Sequence, residues 1–174
     1  MDVTCFQIAF YTFSSDRPRR RDASNRQYIK RTCPECHPGY RGGFSEEQVD
    51  ELLAFLADNH LGWSAAMAPV IMGNSDRPEL GARLENSFCS TDPEIARDFA
   101  RATFLSDNRD DLASVSVRTL VLQCSNDIIA PVEVGEYVHA KIKNSDYLLL
   151  KATGHCPHLS APDEVTAAMR NFVG

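Results

Sequence analysis

Several features are scarce or missing in this sequence of 174 residues. No run of about eighteen consecutive apolar residues occurs, so no segment reads as a membrane-spanning helix. Excess positive charge is also missing. The formal net charge is -6, which argues against a nucleic-acid partner or an anionic membrane surface. Val3 to Phe13 is apolar, but the basic cluster Arg17-Pro18-Arg19-Arg20-Arg21 follows it. A secretory leader has the opposite order, so export is not expected. A cytoplasmic location is the default expectation, and the six cysteines are then expected to be free thiols. Internal repeats and low-complexity tracts are absent as well.

What is present is ordinary for one globular domain. Apolar residues make up 43% of the chain and charged residues 24%. The charge is unevenly spread. Residues 1–31 carry seven Arg and Lys against three Asp, so the remainder carries the acidic excess. Residues 1–27 show no helical period, and polar, basic Ser14 to Gln27 is expected to be disordered or a loop.

From Gly42 the pattern becomes regular. Ser45 and Gln48 form a capping box, and Val49, Leu52, Leu53 and Leu56 recur at helical spacing. A second helical run covers about Leu61 to Met72 and stops at Gly73-Asn74, with Pro69 expected to kink or shorten it. A third runs from Pro78 to about Phe88. A fourth is capped by Asp92, starts at Pro93 and places Ile95, Phe99 and Ala102 on one face. Four helices with short joints read as a helical layer lying over something else.

The grammar then changes. Thr119 to Cys124 reads as a buried parallel strand, Val132 to Lys143 as a helix, Tyr147 to Leu150 as a second strand, and Asp163 to Val173 as a closing helix. Asp127 and His155 each follow one of these strands, 28 positions apart. Functional groups of open α/β sheets gather beyond the carboxyl ends of the strands. A carboxylate and an imidazole delivered there, acid before base, suit activation of a nucleophile. Taken singly, Asp127 could cap the next helix and His155 could be a surface histidine.

Four separated segments then carry a resemblance: Tyr40-Arg41-Gly42-Gly43-Phe44, Gly62 to Pro69 (GWSAAMAP), Thr103-Phe104-Leu105-Ser106-Asp107, and Gly154 to Pro162 (GHCPHLSAP). Together they resemble the α/β-hydrolase branch of the bacterial stress-response regulator RsbQ and its plant relatives, the karrikin and strigolactone receptors. The resemblance covers about residues 28–173. It implies an α/β fold, the C-terminal part of an α/β-hydrolase: a four-helix lid followed by two parallel strands with flanking helices, with the N-terminal half of the sheet missing. The implied division is an unmatched, disordered segment 1–27, a lid region 28–115 and a βαβα core portion 116–174.

The resemblance implies Asp127 as triad acid and His155 as general base. It places Phe44, Trp63, Met67, Phe88 and Phe104 along an apolar ligand pocket, although plain helix packing needs the same large groups. A small, apolar, ester- or lactone-like ligand is implied, together with a possible signalling partner on the lid. No cofactor and no metal are implied. The family's nucleophile elbow, a Gly-x-Ser-x-Gly-like turn, has no counterpart upstream of the lid. Gly62-Trp63-Ser64-Ala65-Ala66 imitates it inside a helical run, and the lid alignment accounts for that segment. The expectation is a truncated serine hydrolase, inactive alone. The alternative is a non-catalytic helical module that binds a ligand or partner in stress signalling. Unpaired strands also predict marginal stability and aggregation.

Other signals point elsewhere. Cys33-Pro34-Glu35-Cys36-His37 matches a haem-attachment pattern, and could supply zinc ligands with Cys5 as a fourth or a redox dithiol; it otherwise reads as a Cys-rich loop. His158 lies one step further from the strand than His155. Cys124 and Cys156 read as small buried apolar groups.

Overall fold

The computed structural model describes residues 42–174 and the three-residue strand β1, Phe10–Thr12. Cys5, Cys33, Cys36, His37, the Arg17–Arg21 cluster and the Tyr40-Arg41 end of the first motif lie outside the described residues.

Helix α1 (Glu46–Asp58) starts as its sequence requires: Ser45 Oγ accepts from the Gln48 N–H, and Gln48 Oε1 accepts from the Ser45 N–H. Asn59 caps α2 (His60–Met72) by accepting from the Gly62 N–H. Helix α2 continues through Pro69 to Met72 and ends at Gly73, whose φ is 59°. The expected kink or shortening does not cut the helix, because Pro69 falls in its last turn. Helix α3 spans Pro78–Cys89. Asp92 caps α4 (Pro93–Leu105) through the N–H groups of Glu94 and Ile95. A short 3₁₀ turn at Asp110–Ser114 leads out of this helical layer.

Strand β2 (Thr119–Asn126) and strand β3 (Ser145–Thr153) pair in parallel, joined by α5 (Val132–Lys141). After β3 come the single-turn α6 (Pro157–Ser160) and the closing α7 (Pro162–Val173). Both strands are longer than their apolar runs suggest. Alternation divides the faces of β2. Leu120, Leu122 and Cys124 pack with Leu150 against Val165, Ala168 and Phe172 of α7. Val121 faces Val138 and Ile142 on the other side.

Strand β1 is a departure from the sequence reading, which placed residues 1–27 outside regular structure. Phe10–Thr12 pairs antiparallel with Thr119–Val121 of β2. The gain is backbone hydrogen bonding on an otherwise open strand edge, which no local pattern in 1–27 signals.

The helical layer rests on the carboxyl rim of the sheet. Its apolar core runs through Leu56, Trp63, Met72 and Phe104 into Ile129 and Cys156, which belong to the two loops leaving β2 and β3. Two glycines allow this docking. A Cβ at Gly43 would run into the carbonyl oxygen of Ile129, and one at Gly154 into that of Met72. Gly154 also has φ 80°.

Gly43→Ala and Gly154→Ala are therefore expected to destabilise the chain, Gly154→Ala the more, with conformational strain alone on the order of 1–3 kcal/mol. Urea denaturation followed by far-UV circular dichroism measures both; unchanged midpoints would show that the layer can shift freely.

Candidate functional site

Asp127 follows the last residue of β2. Its Oδ1 accepts from the N–H groups of Ile129 at 2.8 Å and Ala130 at 3.1 Å. Those two bonds fix the rotamer and turn Oδ2 toward the neighbouring loop. There Oδ2 lies 2.8 Å from Nδ1 of His155. Both side chains are buried, at 6% and 2% exposure. A carboxylate can only accept, so Nδ1 carries the proton. In the neutral tautomer with its proton on Nδ1, the lone pair is on Nε2. Nε2 is buried and meets no hydrogen-bond partner among the described residues.

The loop that carries His155 is shaped by an irregularity that the apolar pattern does not reveal. Cys124 pairs with Leu150 but Asn126 pairs with Thr153, so β3 carries one extra residue. The bulge is held from both sides. Glu164 of α7 accepts from the N–H groups of Lys151 at 2.7 Å and Ala152 at 3.1 Å. Ser125 Oγ donates to the carbonyls of the same two residues, each at 3.2 Å. Beyond the bulge, the Gly154 N–H donates to Asn126 O at 2.7 Å and the His155 N–H to Ile71 O at 2.9 Å. The His155 loop is thereby tied to the end of β2 and to the end of α2.

Other sequence candidates fall elsewhere. His158 lies half-buried on α6, while the Asp127 carboxylate goes to His155. Ser64 is fully buried in the middle of α2, its hydroxyl donating to His60 O at 2.8 Å. That is a helix interior, not a strand-to-helix turn. Burial pushes the Cys124 thiol up to about 12, helped by the negative charges of Asp127 and Glu164. It is a thiol at neutral pH and a poor nucleophile or ligand. Among the described residues no group of three or more His, Cys, Asp or Glu could hold a metal ion, and no helix is long and apolar enough to cross a membrane.

The five apolar candidates share one cluster but not one cavity. Trp63 and Phe104 are buried, and Phe44, Met67 and Phe88 pack against them. Trp63 meets Phe88 at 5.5 Å between ring centroids, and Phe44 meets Phe104 edge-on at 6.3 Å. A cavity of about 140 Å³ opens among the helices, bounded by Leu56, His60, Trp63, Phe88, Ile95 and Phe99. Trp63 and Phe88 are in its wall; Phe44, Met67 and Phe104 are not. Sequence reasoning missed Leu56, His60, Ile95 and Phe99 as cavity lining. Their helical spacing marks them as apolar-face or rim positions but does not say which helices meet there.

No family model matches the chain. Curated relatives do. The chain is 32% identical over 135 residues to "Karrikin insensitive 2 receptor CA" of Petunia hybrida, covering 77% of this chain and 50% of that protein. It is 30% identical over 132 residues to "Strigolactone esterase D14" of Arabidopsis thaliana, covering 75% and 49%. Among solved structures, a hydrolase from Oleispira antarctica superimposes with a TM-score of 0.75 at 40% identity, covering 78% of this chain and 50% of that one. The chain spans about half the length of the curated relatives it matches.

Two outcomes follow. Asp127→Ala removes two backbone caps and the imidazole contact, and is expected to cost roughly 2–4 kcal/mol in urea denaturation. A loss within error would show that the loop holds itself. Iodoacetamide at about pH 8, read by peptide mapping, is expected to modify exposed Cys89 and spare Cys124; equal labelling would contradict the burial of Cys124.

Proposed function

The chain belongs to the α/β-hydrolase family, and we propose that it carries the acid and the base of a lidded serine hydrolase for small ester- or lactone-type ligands. The observation that carries this reading is the buried Asp127–His155 contact with Nε2 unengaged among the described residues. Asp127 holds the imidazole in the tautomer whose Nε2 can accept a proton. His155 takes that proton from a serine hydroxyl as it attacks the carbonyl carbon. It then returns the proton to the departing alkoxide, so the ester or lactone bond breaks while the acyl group rests on the serine. Water reverses the same steps to release the acid.

No Gly-x-Ser-x-Gly turn occurs in the 174 residues, and Ser64 is engaged inside α2. The serine and the amides that would stabilise the oxyanion are therefore assigned outside this sequence, and the chain alone is inactive. The four helices act as a lid over the rim, residues 28–115, with 116–174 as the core portion. Phe44, Trp63, Met67, Phe88 and Phe104 give that lid its apolar inner surface. Ester and lactone chemistry is supported by the names of relatives: a strigolactone esterase, and a pimeloyl-[acyl-carrier protein] methyl ester esterase from Neisseria meningitidis, 31% identical over 85 residues. A cytoplasmic, RsbQ-like role in stress signalling, with a protein partner on the lid, completes the proposal.

A fluorophosphonate probe is expected to leave the 174-residue chain unlabelled. DNA upstream of the Met1 codon, read in three frames, is expected to encode a strand–Gly-x-Ser-x-Gly–helix pattern. Labelling of one serine in the chain, lost in His155→Ala, would place the nucleophile inside it. Absence of the upstream pattern in every frame would remove the hydrolase reading for this gene.

The second reading, a non-catalytic ligand-binding module, is favoured by the cavity among the helices. Trp63 lines it and is the single tryptophan of the chain, so its fluorescence reports occupancy directly. Titration with a small apolar lactone is expected to quench or shift that emission saturably, and Phe88→Ala to weaken the affinity by roughly tenfold. A flat titration would count against binding in this cavity.

A further inference from the structure

The turn between α2 and α3 contains two polar side chains that neither the caps nor the Asp127–His155 pair uses. Asn74 stands at φ 55°, a left-handed conformation that asparagine tolerates better than most residues. Its Nδ2 donates to Met72 O at 2.8 Å and to Thr153 O at 2.9 Å. Its Oδ1 accepts from Nη2 of Arg77. Nη1 of Arg77 donates to Ser160 O at 2.7 Å.

The two acceptors in the base loop are informative by position. Thr153 is the last residue of β3, just before Gly154 and His155. Ser160 is the last residue of α6, at the far end of the short helix that follows His155. The two side chains therefore grip the segment that carries His155 at both ends. A residue serving only to close the α2–α3 turn needs the bond to Met72 O. It does not need partners 79 and 83 positions away in sequence. Between the two grips, His155 is tied through its own N–H to Ile71 O, one residue before the Met72 carbonyl that Asn74 holds.

We infer that Asn74 and Arg77 are positioning residues for His155: they lock the base loop to the helical layer and so hold the imidazole against Asp127. This rests on reading Asp127 and His155 as acid and base. Displacing a reacting group by about 1 Å can cost a hundredfold in rate, so a clamp on both ends of the loop has mechanistic weight. It also makes the helical layer and the base one mechanical unit: a movement of the α2–α3 turn pulls on the imidazole through backbone atoms on either side of it.

The test needs no nucleophile. The full chain is labelled with ¹⁵N-histidine, and the His155 Nδ1 proton is followed by NMR together with its exchange with water. Asp127→Asn is the control, and it should abolish the wild-type resonance. Asn74→Gly keeps the backbone conformation and removes all three side-chain bonds. Arg77→Gln removes the bond to Ser160 and the one to Asn74 Oδ1. The expected result is Nδ1 proton exchange roughly tenfold faster or more in Asn74→Gly, and faster to a smaller degree in Arg77→Gln. Trp63 emission should stay native, showing that the helices remain packed. Wild-type exchange in both folded variants would overturn the positioning role while leaving the pair intact. A resonance unaffected by Asp127→Asn would overturn the pair itself, and the inference with it. Should Asn74→Gly not fold, Arg77→Gln decides the question by the same readout.

Discussion

The close approach of two backbones, the end of α2 and the loop after β3, is the constraint on which the rest depends. The His155 N–H is satisfied by Ile71 O, and Gly154 lies under the Met72 carbonyl where no side chain fits. Helix ends leave carbonyls without intrahelical partners; here Ile71 O is satisfied by the loop after β3 and Met72 O by the Asn74 amide. A second close approach, Gly43 against the Ile129 carbonyl, brings the helical layer onto the loop after β2. Each loop is thus pinned between a strand and the helical layer. The apolar core that contains Trp63, Ile129 and Cys156 closes around both contacts.

Burial and pairing act together at the site. An isolated buried carboxylate would be costly, but Asp127 has two backbone donors on one oxygen and the imidazole on the other. The arrangement leaves one nitrogen of His155 unengaged among the described residues. In a dry setting an unpaired buried nitrogen is expensive, and such costs are tolerated where a group has work to do. That is the physical argument for the proposed base. The neighbouring Cys124 thiol, held protonated by the same burial and the same negative charges, is not a competitor for that role.

Much of this was legible in the amino-acid order. The capping box at Ser45 and Gln48, the Asp92-Pro93 start and the Gly73 stop are local signals, and each marks a real helix end. The apolar runs after Thr119 and around Tyr147 are real strands, though β2 runs on to Asn126 and β3 from Ser145 to Thr153. The extra residues are mostly polar and gain their strand geometry from pairing, which periodicity does not register. The Asp127 and His155 positions followed from strand ends, and the structure brings the two within hydrogen-bond distance.

Sequence by itself therefore determined the order and type of α1 to α5, β2, β3 and α7 and the two residues that meet at the rim, because caps, period and strand-end chemistry act over a few positions. Tertiary structure alone decided β1's pairing, the bulge held by Glu164 and Ser125, the cavity among Leu56, His60, Trp63 and Ile95, and the Asn74–Arg77 grip. Each of these joins groups far apart in the chain. An asparagine after a glycine reads as a helix stop; that its amide also reaches a carbonyl 79 residues later depends on how two layers meet, and no local pattern encodes that.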